Sequence, residues 1–319
     1  MVSLLLTVLN EESTIGALLD SVLEQTKKPD ELVIVDGGSR DRTLEIIREY
    51  REKFSRVGVQ LILRVHPGAS IARGRNLGIS IAKGPYIAVT DAGCRLDRSW
   101  LERIIEPLVA GRADLVGGFF LPVARTRFQR VLTSLTTSRS PTPNFLPSSR
   151  SVAFTKALWE KVGGYPEYLP WGEDTLFDRL CLEAGARYEV VADAIVYWEV
   201  RPTFRAALKQ YFRYAFGDGL SGRFSVSHLI LQGLYWGSLG AALVWGPLAF
   251  LPVLVYPAAW IVRRKVYKTV RLGDFPLAYS LALGIQLARF TGFSWGIIEK
   301  LRRRWRGHAH INANGKLRS

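Results

Sequence analysis

Acidic residues are scarce in this chain. Its 319 residues carry 28 Asp and Glu against 43 Lys and Arg, a formal net charge of +15. Cysteine is scarcer still: there are two, Cys94 and Cys181, far apart and set in apolar stretches. That spacing offers no disulfide framework and no CxxC metal site, and it suits a reducing compartment. Two phosphate-binding signatures are missing. No GxGxxG follows the first apolar run and no GxxxxGK[ST] occurs anywhere, which argues against a dinucleotide site and a P-loop. A secretory leader is not expected either, because the apolar run Val2 to Val8 is short and Asn10-Glu11-Glu12 follows at once.

The excess of positive charge suits a nucleic acid, an anionic membrane face or a phosphorylated substrate. Its placement separates them. Arg263, Arg264, Lys265, Lys268 and Arg271 follow one long apolar run, and Lys300, Arg302, Arg303, Arg304 and Arg306 follow another. Basic clusters at the ends of apolar runs are membrane flanks. No groove-reading motif is present, so nucleic acid is not expected as a partner.

The first 100 residues alternate strand and helix. Ser3 to Val8, Glu31 to Val35, Val59 to Val65 and Tyr86 to Val89 read as buried strands. Between them lie amphipathic runs: Ile15 to Leu23, a stretch carrying Leu44, Ile47 and Tyr50 and capped by Ser39 or Asp41, and Ile71 to Ala82. This pattern predicts an α/β fold, Rossmann-like, with a mostly parallel sheet and helices on both faces. Later strands are expected at 115–121, 151–155, 187–191 and 194–197, with helices over 125–137, 156–162, after Glu173, and over 203–216. The Ser- and Pro-rich stretch 138–149 reads as a loop and 217–227 as a linker.

Chemistry concentrates where strands end. Asp36 closes the second strand. The stretch Gly84 to Trp100, GPYIAVTDAGCRLDRSW, places Asp91 at the carboxyl end of the fourth, where open α/β sheets hold ligands. Gly93 permits a tight turn or close ligand approach, and Asp97 suits a helix cap. Arg75 and Asn76 lie on the helix that leads to Asp91. Two carboxylates and an arginine at one sheet edge suit a nucleoside diphosphate, with one carboxylate for the sugar or base and one for a metal.

These motifs resemble the family 2 glycosyltransferases of the GT-A fold. The resemblance is carried by TVLNEE (Thr7–Glu12), VIVDGGSRDRT (Val33–Thr43), GRNLGI (Gly74–Ile79), YIAVTDAGC (Tyr86–Cys94), KVGGYPE (Lys161–Glu167) and WGEDTLFDRL (Trp171–Leu180). It covers about residues 1–220. It implies that Thr7, Leu9 and Glu11 line a nucleoside pocket, that Asp36 faces the base or ribose, and that Arg75 and Gly93 lie by the donor. It makes Asp91 the first residue of the family's Asp-x-Asp metal motif and Asp174, next to Glu173, the general base of an inverting transfer. Acids there also suit a helix N-terminus. Gln210 and Arg213 resemble part of the QxxRW motif of processive relatives, with Tyr214 in place of Trp, and stand as acceptor or diphosphate contacts.

The motif departs from the family's at one point. It reads Asp91-Ala92-Gly93, so the second carboxylate is missing, and Trp198 stands where the family often carries a metal-binding His. Mg²⁺ or Mn²⁺ is still the expected cofactor, held by Asp91 with water and phosphate or with help from Glu199.

The remainder reads as membrane-embedded. No charged residue occurs from Leu229 to Val262, a longer run than the ~20 residues of one crossing. Gly246-Pro247, Pro252 and Pro257 interrupt it, which suits a hairpin or re-entrant pair, with one long kinked span as the alternative. Residues 275–298 form a second apolar stretch containing Arg289, expected to lie at the interface because both basic clusters favour the cytoplasmic side. The aromatic and basic helix over 203–216 suits the interface too. The expected organisation is thus a glycosyltransferase domain over 1–220 and a membrane-associated helical region over 221–319. The catalytic part is expected in the cytoplasm, where nucleotide sugars are made. The resulting expectation is an inverting, membrane-bound transferase that moves a sugar from a nucleotide sugar to a lipid-linked or cell-surface polysaccharide acceptor. The alternative is a non-catalytic GT-A-like membrane scaffold or glycan-binding protein.

Overall fold

The computed structural model describes residues 1–138, 140–142, 145–223 and 225–305. Two compact units are present, one built from 1–121 with 140–199 and one from 122–138 with 200–305.

The first unit opens β1 (Val2–Val8), α1 (Ile15–Leu23), β2 (Glu31–Asp36), α2 (Thr43–Arg56), β3 (Gln60–Val65), α3 (Ile71–Ile81), β4 (Tyr86–Val89). β3, β2, β1 and β4 lie side by side and run parallel, with Val8 opposite Asp36 and Leu5 opposite Val89. Strand side chains alternate between the two faces of the sheet. Leu4, Leu6, Leu32 and Ile34 join Ile15, Leu18, Ile47 and Phe54 in one core. Leu5 and Val35 point the other way, onto α3. There Gly74 and Gly78 admit the helix closely: a Cβ at Gly78 would stand 2.2 Å from Leu5 Cδ1, and one at Gly74 3.0 Å from Thr7 Cγ2.

Beyond β4 the sheet changes character. There follow β5 (Cys94–Leu96), α4 (Trp100–Val109), β6 (Leu115–Val123), α5 (Arg127–Thr136), β7 (Val152–Thr155), α6 (Lys156–Val162), α7 (Glu173–Glu183) and β8 (Tyr188–Glu199). The eight strands are ordered β3-β2-β1-β4-β7-β6-β8-β5. β7 is antiparallel to both β4 and β6, and β5 is antiparallel to β8. The sheet is therefore mixed, not mostly parallel. The crossover through α4 sets β6 two positions away from β4, and β7 enters the gap from the opposite end. The short β5 escaped notice because three residues show no periodicity. The two late strands are one, Tyr188–Glu199. Asp97 accepts from Ser99 N–H at 3.2 Å just ahead of α4, whose N-cap is Ser99.

The second unit contains α5, α8 (Phe204–Ser221), α9 (Val226–Trp245), a 3₁₀ turn at Pro247–Phe250, α10 (Leu251–Arg263) and α11 (Phe275–Trp305). Helix α8 runs through the first part of the expected linker, whose residue 224 lies outside the described residues, as does Arg306 of the terminal basic cluster. The long apolar run breaks at Gly246-Pro247, and Val253 of α10 packs with Leu231 and Tyr235 of α9. α8 and α11 meet backbone to backbone: a Cβ on Gly292 would stand 2.3 Å from the Phe212 carbonyl oxygen, and one on Gly296 2.3 Å from that of Phe216.

The expectation of several membrane-embedded helices is corrected here. Among the described residues one helix is long and apolar enough to cross a membrane, and it contains the run expected to lie at the interface. α11 has 31 residues, about 46 Å of helix. Arg289 within it donates to Ser227 Oγ at 3.3 Å, so the charge is partnered by the start of α9.

Candidate active site

The parallel strands deliver three loops to one sheet edge. The loop after β1 and the loop after β2 are joined by hydrogen bonds. Gly37 N–H donates to the Val8 carbonyl at 2.9 Å, Asn10 N–H to Ser39 Oγ at 2.8 Å, and Glu11 N–H to Thr43 Oγ1 at 2.7 Å. Asn10 takes φ 55°, a left-handed geometry that asparagine tolerates. Asp36 is fully buried, and its Oδ1 accepts from Gly38 N–H and Ser39 N–H at 2.8 Å each. Its carboxylate thus shapes the loop. Thr7 packs against Gly74, Leu9 is exposed, and Glu11 Oε2 accepts from Thr14 Oγ1. Thr7, Leu9, Glu11 and Asp36 are brought to one edge of the sheet.

Arg75 organises the centre. It is buried on α3; Nη1 donates to Glu173 Oε1 at 2.6 Å and Nη2 to Asp91 Oδ1 at 3.0 Å. Its guanidinium lies 5.3 Å over the Tyr165 ring. Burial works against its charge, yet Asp91 and Glu173 together hold its pKa above the ordinary value. Such a network is costly to desolvate and costlier to break, because removing one member strands a buried charge. The next residue, Asn76, clamps a second loop: its Nδ2 donates to the Tyr165 carbonyl at 2.8 Å and its Oδ1 accepts from Tyr165 N–H at 2.8 Å. Two consecutive residues of one helix thus tie β4 and α7 to the loop carrying Gly164 and Tyr165.

The paired acids at the start of α7 are not equivalent. Burial pushes the Glu173 carboxyl up to about 7, with the Arg75 charge opposing and Asp174 adding. Asp174 is partly exposed; its Oδ2 lies 3.5 Å from both Ser148 Oγ and Ser149 N, too far for strong hydrogen bonds. One turn on, Asp178 is buried, with Oδ2 lacking a partner among the described residues, and burial raises its pKa strongly. Tyr165 stacks on Phe177 with ring centroids 4.1 Å apart. Neither Asp178 nor Tyr165 was singled out from sequence. Asp178 carries only an i+4 spacing from Asp174 as a signal, and Tyr165 only its place in KVGGYPE.

A further residue missed from sequence is Arg150, a lone base ahead of the apolar strand β7. Thr90 Oγ1 donates to its carbonyl at 2.8 Å, which pins it beside the end of β4. Its guanidinium lies 4.4 Å over Trp198 and 5.3 Å over Phe120, and its Nη1 donates to Ser148 Oγ at 3.0 Å. Trp198 pairs with Cys94 across β5 and β8. Burial pushes the Cys94 thiol up to about 12; Asp91 adds to the shift and Arg150 opposes it.

The side chains at these positions do not make up a donor set for a divalent cation. Asp91 is the sole carboxylate of its motif and is bonded to Arg75. Gly93 contributes no ligand, and Trp198 offers only an indole. Glu199 lies exposed at the end of β8. Among the described residues no three His, Cys, Asp or Glu side chains gather to hold a metal ion. Gln210 and Arg213 belong to the second unit, where Gln210 Nε2 donates to Tyr214 Oη at 2.6 Å.

Comparison with known proteins gives a consistent family. Residues 3–164 match Glycosyl transferase family 2, and residues 89–291 match Glycosyl transferase family group 2. Glycosyltransferase AglE of Haloferax volcanii is 29% identical over 224 residues, covering 68% of this chain and 72% of that protein. Poly(ribitol-phosphate) beta-glucosyltransferase of Bacillus spizizenii is 37% identical over 95 residues, 28% of this chain and 14% of that protein. Among solved structures, mannosyltransferase PcManGT of Pyrobaculum calidifontis, in complex with GDP-Man and Mn²⁺, superposes with a TM-score of 0.62 at 19% identity. That match covers 90% of this chain and 86% of that one, and shows the shared fold.

Proposed function

As the chain belongs to glycosyl transferase family 2 and is a glycosyltransferase, we propose that it is an inverting enzyme. It moves a sugar from a nucleotide sugar to a lipid-linked or cell-surface polysaccharide acceptor at a membrane. Residues 1–220 carry the transfer in this reading and 221–319 the membrane association, with the catalytic part in the cytoplasm, where nucleotide sugars are made.

The observation that carries the reading is the division of labour between Glu173 and Asp174. Glu173 is consumed by Arg75, whereas Asp174 keeps a partly exposed carboxylate beside that network. An acceptor hydroxyl is a poor nucleophile and must shed its proton as it attacks the anomeric carbon. Asp174 takes that proton. The new bond forms from the acceptor oxygen to the anomeric carbon, the bond from that carbon to the donor phosphate breaks, and the nucleoside diphosphate leaves with the electron pair. One displacement inverts the anomeric centre. The loops after β1 and β2 hold the nucleoside, and Arg75 keeps Asp91 and α7 in register.

Proteins of the same fold support donors of this kind: PcManGT is in complex with GDP-Man, and S. aureus TarS 1–349 with UDP. The test is turnover of a panel of UDP-, GDP- and dTDP-sugars by the full chain in nanodiscs supplied with membrane lipid extract. One donor is consumed by the wild type, with inversion seen by NMR. Asp174→Asn binds that donor and fails to turn it over. A product with retained configuration, or an active Asp174→Asn, would refute the mechanism.

A further inference from the structure

The cation that should face the donor diphosphate has no adequate ligand set here, and a basic side chain stands at the same place. The loop Asp91-Ala92-Gly93 runs into β5, where Cys94 faces Trp198 of β8. In the family's usual arrangement, as the resemblance implies, the positions of Gly93 and Trp198 supply ligands. Here the Arg150 guanidinium lies 4.4 Å over the Trp198 ring. A Cβ at Gly93 would meet nothing within 4 Å, so the space in front of that loop is open to a ligand. We infer that Arg150 binds the donor diphosphate in place of a divalent cation, and that Gly93 and Trp198 make room and a platform for it. The inference rests on the transferase reading above.

Three properties suit Arg150 to this task. A guanidinium is charged at any working pH and presents a planar fork that matches phosphate oxygens. The rings of Trp198 and Phe120 lie against its guanidinium and hold it in place, and the side chain is half-buried, which strengthens its attraction for an anion. Its Nη1 donates to Ser148 Oγ at 3.0 Å, and that hydroxyl lies 3.5 Å from Asp174 Oδ2, so the guanidinium stands one residue away from the base end of the site. Arg75 is the other arginine of the site, but both of its terminal nitrogens already bind carboxylates. As the sugar–phosphate bond breaks, negative charge grows on the leaving diphosphate. Arg150 stabilises it, with no proton moved and no other reactant required.

The experiment is calorimetric titration of UDP and of GDP into the full-length protein in nanodiscs, once with EDTA and once with Mn²⁺. Wild type, Arg150→Ala and Arg150→Lys are compared, with circular dichroism as the check on folding. The expected result is binding of one nucleotide in EDTA, changed less than about threefold by Mn²⁺. Arg150→Ala then weakens it by about 10- to 150-fold, the worth of a charged hydrogen bond. Arg150→Lys, which keeps the charge and loses the fork, falls between them. Binding that requires Mn²⁺ would overturn the inference and leave the transferase reading intact. So would EDTA-resistant binding that survives in a folded Arg150→Ala. If neither nucleotide binds in either buffer, and dTDP titrated in the same way does not bind either, the nucleotide-sugar mechanism proposed above fails. Should Arg150→Ala misfold, Arg150→Lys decides alone: unchanged affinity in EDTA counts against the inference and weakened affinity supports it.

Discussion

The strand-rich edge that carries the site and the helices α9 and α10 are both rich in apolar residues, yet they use them in opposite ways. Around β1, β2 and β4 the apolar side chains are sealed: Leu4, Leu5, Leu6, Ile34 and Ala88 are fully buried. In the helices they face outward, with Leu243 85% and Trp245 76% exposed. Burial of apolar surface drives the first region to fold in water. In the membrane-associated reading proposed above, the exposed apolar side chains of the second face lipid and the basic residues that follow them face its anionic surface. Among the polar groups the first region buries, Arg75 and Glu173 are paired with each other, and the low dielectric around them makes that pair both rigid and sensitive.

This contrast can be broken at either end. The largest effect is expected at the site: Asp174→Asn lowers kcat by about 10²- to 10⁴-fold, the range of a general base, with donor affinity little changed. Steady-state kinetics beside nucleotide titration will separate the two. Next comes the buried network. Arg75→Met strands Glu173 and costs about 3–5 kcal/mol of stability, read by denaturant unfolding. In the helical unit, Gly292→Leu forces α8 and α11 apart where a Cβ would already overlap the Phe212 carbonyl, at a cost of about 1–3 kcal/mol. Leu243→Asp leaves the fold of the first region unchanged and lowers retention on anionic vesicles by about tenfold, measured by flotation; a Leu at the same depth of a soluble surface would show no such loss.

The smallest effect is a pH dependence. Burial lifts the Glu173 pKa from its ordinary 4.5 to about 7. The folded chain then holds a proton that the unfolded chain has lost between those values, so stability falls as pH rises through that window and levels off above it. Glu173→Gln keeps a side chain beside Arg75 and removes the titration, and its unfolding midpoint changes less between pH ~5 and pH ~7. An equal change in the variant and the wild type would show that Glu173 stays charged throughout.

Much of the first region was legible because local signals agreed there. Four short apolar runs ended in Asp or turn residues and became parallel strands within one residue of the expected bounds, whereas the second helix extends to Arg56, beyond its expected apolar face, and is capped at Arg42 and not at Ser39 or Asp41. The placement of Asp36 and Asp91 at strand ends followed from that alone. Asp174 and Glu173 were legible as a pair but not as unequal partners, since only the reach of Arg75 from a helix nearly 100 residues earlier buries one of them. β7 could not be set between β4 and β6 from its four residues, because strand order depends on crossovers and not on periodicity. In the apolar stretch around Arg289 the charge is the strongest local signal, and the partner that accommodates it, Ser227, is distant in sequence.

By itself the sequence determined the alternation of strands and helices, the family and the loss of the second carboxylate from the Asp-x-Asp position. These follow from period, punctuation and residue identity, which are local properties. Tertiary structure alone decided that Arg75 bridges Asp91 and Glu173, that Arg150 lies over Trp198 beside the shortened motif, and that Gly292 and Gly296 bring α11 against α8. Each depends on side chains meeting across long stretches of chain, where distance and burial, not residue type, set the strength of a charge and the room left for a ligand.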